Sequence, residues 1–135
     1  MRFKLIFFLL FSSTILFAQE IGSVKNGKHS LKLIKMDEMY TFVYSDTNSN
    51  GTKTEKSFHF PNKDTVYNII NNGFKKFRSH QVIILTDVDT VVKFQYSKLD
   101  DKILFKINHS NLKSKISGTS FYFTQNEIAN LFGNP

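Results

Sequence analysis

The densest run of oxygen donors in the chain is Asp46-Thr47-Asn48-Ser49-Asn50-Gly51. Asp46, Asn48 and Asn50 offer oxygens at alternate positions and Gly51 allows a sharp bend, the pattern of the first half of a calcium loop. The second half departs from it. The twelfth position, where a bidentate glutamate belongs, is Ser57, and Glu55 comes two residues early. This candidate metal site therefore has one carboxylate among amides, and an ordinary hairpin loop accounts for the same residues. Asp87 and Asp89, and then Asp100 and Asp101, fall at predicted turns. Gathered at one sheet edge, they would suit a cation or general acid–base work. Turns recruit aspartate for backbone reasons as well. His29, His59, His80 and His109 are scattered without the spacing of a zinc site. No serine lies in a Gly-x-Ser-x-Gly elbow, and no glycine loop fits a phosphate. The chain has no cysteine, which excludes thiol catalysis, disulfides and lipid attachment through a thiol. These patterns assign no catalytic residue and no cofactor.

Aromatic side chains offer a second kind of site. Tyr40, Tyr44, Phe94, Tyr96 and Tyr122 lie on expected strands and are a candidate ligand or partner face. The alternative is that they pack beneath the helices with hydroxyls reaching the sheet edge.

The elements that must position these groups follow from periodicity. Val66, Ile69, Ile70, Gly73, Phe74 and Phe77 recur at helical spacing between Asn62 and Arg78. Asn62 is the expected cap, and Asp64 in the first turn favours the helix dipole. Gly73 either closes this helix or lies within it on the packed face and lets a strand approach; the period of Phe74 and Phe77 favours a helix continuing to about Phe77. Strands are expected at 30–36, 39–45 and 54–60 before the helix, and at 80–86, 90–97, 102–109 and 115–124 after it. Phe58 and Phe60 should point inward and His59 outward. Val82 to Leu85 lacks alternation, as a central strand covered on both faces would. Thr124 with Glu127 forms a capping box for a last helix whose Ile128, Leu131 and Phe132 share a face. The expected architecture is α+β, in the order βββαββββα. One mostly antiparallel curved sheet carries a long helix on one face and a short C-terminal helix beside it.

Two short echoes suggest two related halves. Ser57-Phe58-His59-Phe60 and Ser120-Phe121-Tyr122-Phe123 each lead into a helix, and Phe42-Val43-Tyr44-Ser45 resembles Phe94-Gln95-Tyr96-Ser97. They need different offsets. Tandem strand-and-helix halves are similar in layout to exported inhibitory proteins such as the β-lactamase-inhibitory protein, though no residue motif carries that likeness.

The N-terminus reads as a secretory leader over residues 1–18. Arg2 and Lys4 precede the apolar run Leu5 to Phe11, and cleavage is expected after Ala18, with Leu16 departing from the usual small residue. Residues 19–28 read as a flexible lead-in and 29–135 as one domain. The wealth of Lys, Asn, Ile and Phe suits a bacterial periplasmic or secreted protein. In a eukaryotic setting Asn50-Gly51-Thr52 and Asn108-His109-Ser110 would be glycosylation sequons. Loss of Arg2 and Lys4 with the leader lowers the net charge from +7 to +5. That excess favours an acidic protein or an envelope component as partner, while export disfavours nucleic acid. Ten phenylalanines beyond the leader supply a core for a body without staples. The expectation for function is an exported, non-catalytic binding protein acting through a sheet face or edge. Next comes a carrier or sensor of a small apolar ligand held between sheet and helix. An exported hydrolase using turn aspartates and a histidine is third.

Overall fold

A computed structural model describes residues 18–48 and 54–134. The leader ahead of Ala18, and Asn50, Gly51 and Thr52 of the loop and sequon, lie outside the described residues. The fold is α+β. Strands β1 (Ala18–Asn26), β2 (His29–Met36), β3 (Met39–Ser45) and β4 (Glu55–Phe60) form one antiparallel sheet and lead into helix α1 (Lys63–Lys75). Strands β5 (His80–Leu85), β6 (Thr90–Leu99), β7 (Lys102–Asn111) and β8 (Ser117–Thr119) form a second and lead into α2 (Gln125–Leu131). Two four-stranded sheets thus replace the single curved sheet that periodicity suggested.

The added strand is β1. The stretch read as a flexible lead-in pairs with β2 from Ala18↔Met36 to Asn26↔His29, with a bulge between Glu20 and Gly22. Its polar, glycine-bearing sequence hides the strand, because partner backbone rather than side-chain pattern fixes it. The tight hairpins have local causes. Asp37 and Asp100 each take a left-handed backbone (φ 55° and 56°) at the β2–β3 and β6–β7 turns, a conformation aspartate tolerates better than most.

Alternation sorts the strands as expected. Leu31, Leu33, Phe42, Tyr44, Phe58 and Phe60 face inward from the first sheet; Val92, Phe94, Tyr96, Ile103, Phe105 and Ile107 do so from the second. Asn62 caps α1, its side chain accepting the Thr65 N–H at 3.0 Å. Gly73 lies inside α1 on the packed face, and the helix stops at Lys75 because Phe77 turns left-handed (φ 44°). Phe77 is half exposed, outside the core stripe, under the Lys98 ammonium. The Thr124–Glu127 capping box is present, and Ile128, Leu131 and Phe132 are buried.

Each helix leans on the other half's sheet. From α1, Phe74 meets Tyr96 and Phe105 at 5.3 and 5.8 Å, and the Tyr96 hydroxyl donates to the Ile70 carbonyl at 2.7 Å. From the end of α2, Phe132 meets Phe42 at 5.6 Å, and Leu131 lies against Gly22 of β1. The halves therefore share one core and interlock. Both halves read ββββα, but the echoes fare differently. Ser57–Phe60 and Ser120–Phe123 precede equivalent helices, whereas Phe42–Ser45 is on the third strand of its sheet and Phe94–Ser97 on the second.

β5 is an edge, not the covered central strand expected from its apolar run. Ile83 and Leu85 are 57% and 69% exposed, while His80, Val82 and Ile84 are half-buried.

Candidate functional site

The buried groups with chemistry in them meet at the seam between the halves. β3 brings Tyr44 and, directly after its end, Asp46; β4 brings Lys56, β7 brings His109, and β8 brings Gly118 and Thr119. The Tyr44 hydroxyl is hydrogen-bonded to His109 Nδ1. Burial, reinforced by the Asp46 charge, holds the phenol far above its usual range. Burial and then the Lys56 charge hold the His109 imidazolium below its ordinary value, against the opposing pull of Asp46. The phenol thus stays protonated and the imidazole is favoured neutral, and the tautomer of His109 sets which of the two atoms donates in their shared hydrogen bond.

Asp46 is held ionised. Burial pulls its carboxyl upward, but the Lys56 hydrogen bond, the Thr119 and Asn48 N–H groups and the Lys56 charge together outweigh it, leaving it below the usual range. The Lys56 ammonium lies 2.8 Å from Oδ2, and the Asn48 and Thr119 N–H groups lie 3.1 Å from Oδ1. The Thr47 N–H donates to the Thr119 carbonyl at 2.9 Å, and Lys56 also reaches the Ser117 carbonyl at 3.3 Å. His, Tyr, Asp and Lys together are the parts of an acid–base centre. Here Tyr44, His109 and Asp46 are 0%, 4% and 8% exposed. The arrangement joins the two halves, and Lys56, with its side chain 24% exposed, is its one partly open member.

The sequence candidates disperse. Of the calcium-loop residues, Asp46 spends its oxygens on Lys56 and backbone N–H groups, and an ammonium stands where a cation would be sought. Asn48 donates to Thr119 Oγ1 at 3.2 Å. Among the described residues, no three His, Asp or Glu side chains gather as a metal site. Asp87 and Asp89 lie at the start of β6 and Asp100 and Asp101 beyond its end. A ten-residue strand, roughly 30 Å, separates them, so they do not share an edge. The Asp87 carboxylate instead accepts the Asp89 N–H at 2.8 Å, a turn-forming role. The histidines stay apart. His29 stacks on Phe121, His59 bonds Thr41, and His80 stacks on Tyr96.

The five aromatic residues do not form one surface. Tyr44, Phe94 and Tyr96 are in the core. Tyr40 and Tyr122 are half-exposed at separate places, under Lys35 and Lys106 respectively. The space between α1 and the second sheet, where a carrier would hold its ligand, is occupied by Phe74, Tyr96 and Phe105. A shallow cleft of about 220 Å³ between the β2–β3 turn and the start of α1 is lined by Lys35, Glu38, Tyr40, Asn62, Lys63 and Asp64 among others, a polar and mixed-charge lining.

One surface is left that sequence reasoning did not single out, the outer face of the second sheet. Its strand positions carry Gln81, Ile83 and Leu85 on β5, Val91, Lys93, Gln95 and Ser97 on β6, and Lys102, Leu104, Lys106, Asn108 and Ser110 on β7. None is acidic. Asn108 is bonded to Gln95 at 3.1 Å and to Thr119 at 2.6 Å, which ties β6, β7 and β8 together across that face. The signal for this face was the outward set of each strand, legible once the strand order was known. No family model matches this chain, and no curated protein or solved structure matches it either.

Proposed function

We propose that this chain is an exported, non-catalytic interaction protein whose working surface is the outer face of β5, β6 and β7. One observation carries the reading: that face has no acidic side chain at the strand positions named, and exposed Ile83 and Leu85 share it with Lys93, paired directly with Ile83, and with Lys106 and Lys102 further along β7. Such a face suits a partner that offers carboxylates around an apolar patch. The burial of Tyr44, Asp46 and His109 supports binding rather than catalysis. The leader-like N-terminus supports export, with an acidic protein of the envelope as the partner class.

The test is site-specific photocrosslinking in the exporting cell. A photoreactive residue at Leu104, on the face, should trap one discrete acidic partner, and Lys93→Glu with Lys106→Glu should abolish the adduct. The same probe at Lys63 on α1 should not trap it. Equal trapping from both positions, or indifference to the charge reversals, would overturn the reading.

A further inference from the structure

We propose that the α1–β5 turn around Phe77 is a membrane contact that seats the chain on a bilayer bearing anionic lipid. The site lies at one end of the second sheet. It shares none of the residues named for the outer face and does not rest on the protein partner proposed there.

The first observation is a residue out of place. Lys76 ends α1 with helical backbone, and helices commonly turn left-handed at the next position, where glycine is the usual residue. Here that position is Phe77, at φ 44°. A bulky side chain in this conformation is an outlier, and backbone strain of this kind collects at functional positions. Core packing does not explain it, because Phe77 is 50% exposed and its ring lies 4.7 Å under the Lys98 ammonium.

The second observation is charge. Phe77 stands between Lys76 and Arg78, with Lys75 just before, and all of these residues are exposed. The Lys98 N–H donates to Ser79 Oγ at 2.9 Å, which fastens the end of β6 to this turn and brings another cation. Lys75 and Lys76 also suit the negative end of the helix dipole, but Arg78 and Lys98 lie outside the helix. Among the described residues, none of these cations has a carboxylate partner. An exposed aromatic ring surrounded by unpaired cations has the make-up of an interfacial anchor. The ring enters the headgroup boundary, and the ammonium and guanidinium groups meet lipid phosphates.

Two comparisons select this occupant. The opposite end of the second sheet exposes more apolar surface, with Val88 and Leu112 at 91% and 63%. There, however, Asp87 and Asp89 balance Lys113 and Lys115, so an anionic surface is not favoured. The other comparison is geometric. Leu99 is 60% exposed and by alternation points to the opposite side of the sheet end from Lys98 and the Phe77 ring beneath it. A rigid protein surface would meet one side, whereas a fluid interface receives both. Asp100 and Asp101 in the adjoining β6–β7 turn oppose the contact, which gives the test a second direction.

The chain has no tryptophan, so Phe77→Trp introduces a single emission probe. The chain tested runs from Gln19 to Pro135, which keeps the helices and strands of both halves and omits the apolar leader. With vesicles of phosphatidylcholine containing phosphatidylglycerol, the Phe77→Trp emission should move to shorter wavelength and be quenched by lipids brominated on their chains. Phosphatidylcholine alone should give little of either effect. Val88→Trp, at the other end of the sheet, should stay water-like with both. In vesicle co-sedimentation, Lys75→Glu with Lys76→Glu should weaken binding at least tenfold, at about fivefold for each cation removed. Lys93→Glu with Lys106→Glu makes the same change in net charge on the outer face and should weaken it far less. Asp100→Asn with Asp101→Asn should strengthen it about tenfold. Phe77→Gly should weaken it about tenfold or more while the thermal midpoint stays close to wild type, because glycine takes the left-handed backbone freely. A Phe77→Trp emission unmoved by anionic vesicles, an equal response from Val88→Trp, or equal losses from the two lysine pairs would overturn the proposal. So would binding to polyglutamate by a chain that ignores vesicles, which would assign the patch to an acidic polypeptide. The vesicles hold no protein, so the outcome is separate from partner capture on the outer face.

Discussion

Tyr44 and His109, sixty-five residues apart, share a hydrogen bond between the phenol oxygen and Nδ1, each ring almost fully removed from water. Tyr44→Phe keeps the edge-on ring contact and deletes only the hydroxyl, leaving Nδ1 buried without a partner. The expected loss is about 1–3 kcal/mol, read as a thermal midpoint several degrees lower. Burial of His109, reinforced by the Lys56 charge, also gives stability a pH dependence. The folded His109 titrates below its ordinary value near 6.5, so as pH falls the unfolded chain takes up its proton first. Stability from this group is fully present above about pH 7. It declines as pH drops through the mid-6 range toward the lowered folded value. Chemical denaturation at a series of pH values should show this slope, and His109→Gln should flatten it. Parallel curves for the two proteins would contradict the assignment.

Asp46 should matter more than the lysine it pairs with. Its carboxylate is buried and serves backbone N–H groups on both halves, whereas the Lys56 side chain is 24% exposed. Asp46→Ala leaves the part-buried Asn48 and Thr119 N–H groups without their acceptor, at about 1–3 kcal/mol, while the ion pair alone, screened at its exposed end, contributes about 1 kcal/mol or less. The expected order of unfolding free energies is wild type, then Lys56→Met, then Asp46→Ala. The Asp46 contribution is present above about pH 4 and is lost as pH falls through the lowered folded value. Equal losses from the two substitutions would place the stabilising effect in the ion pair.

Gly73→Ala tests the close approach of α1 to the second sheet. Helix propensity alone favours alanine by about 1 kcal/mol. A methyl at residue 73, however, would land on the Tyr96 ring, which is buried and anchored through its hydroxyl to the Ile70 carbonyl. Overpacking costs of about 1–3 kcal/mol should win, so the variant should melt lower than the wild type. A rise in melting temperature would mean that the ring has room to shift.

Much of the fold was legible because its causes are local. Asn62 and Thr124 cap helices through their own neighbours, and the alternation of Phe42, Tyr44, Phe94, Tyr96 and Phe105 needs only a two-residue period to choose an inward face. The α1 stripe was equally plain, with Ile70 and Phe74 buried and Gly73 beneath a strand. β1 escaped detection because a polar strand is specified by the partner it pairs with. The end of α1 came earlier than its period suggested, because Phe77 turns left-handed.

The candidate site was far less legible. Asp46 reads as a cation ligand beside Asn48, and only strand order reveals that Thr119 supplies an N–H and Lys56 a charge at the same carboxylate. Ile83 and Leu85 read as core because a continuous apolar run looks alike on a central and on an edge strand; alternation places them on the outer face of β5, where they are exposed. Residue order by itself determined which side of each strand is apolar, where the helices begin, and that no thiol chemistry is possible. Tertiary structure decided which half each helix covers, which tyrosines meet solvent and which carboxylates meet at all, because those outcomes depend on contacts between residues dozens of positions apart and no short period records them.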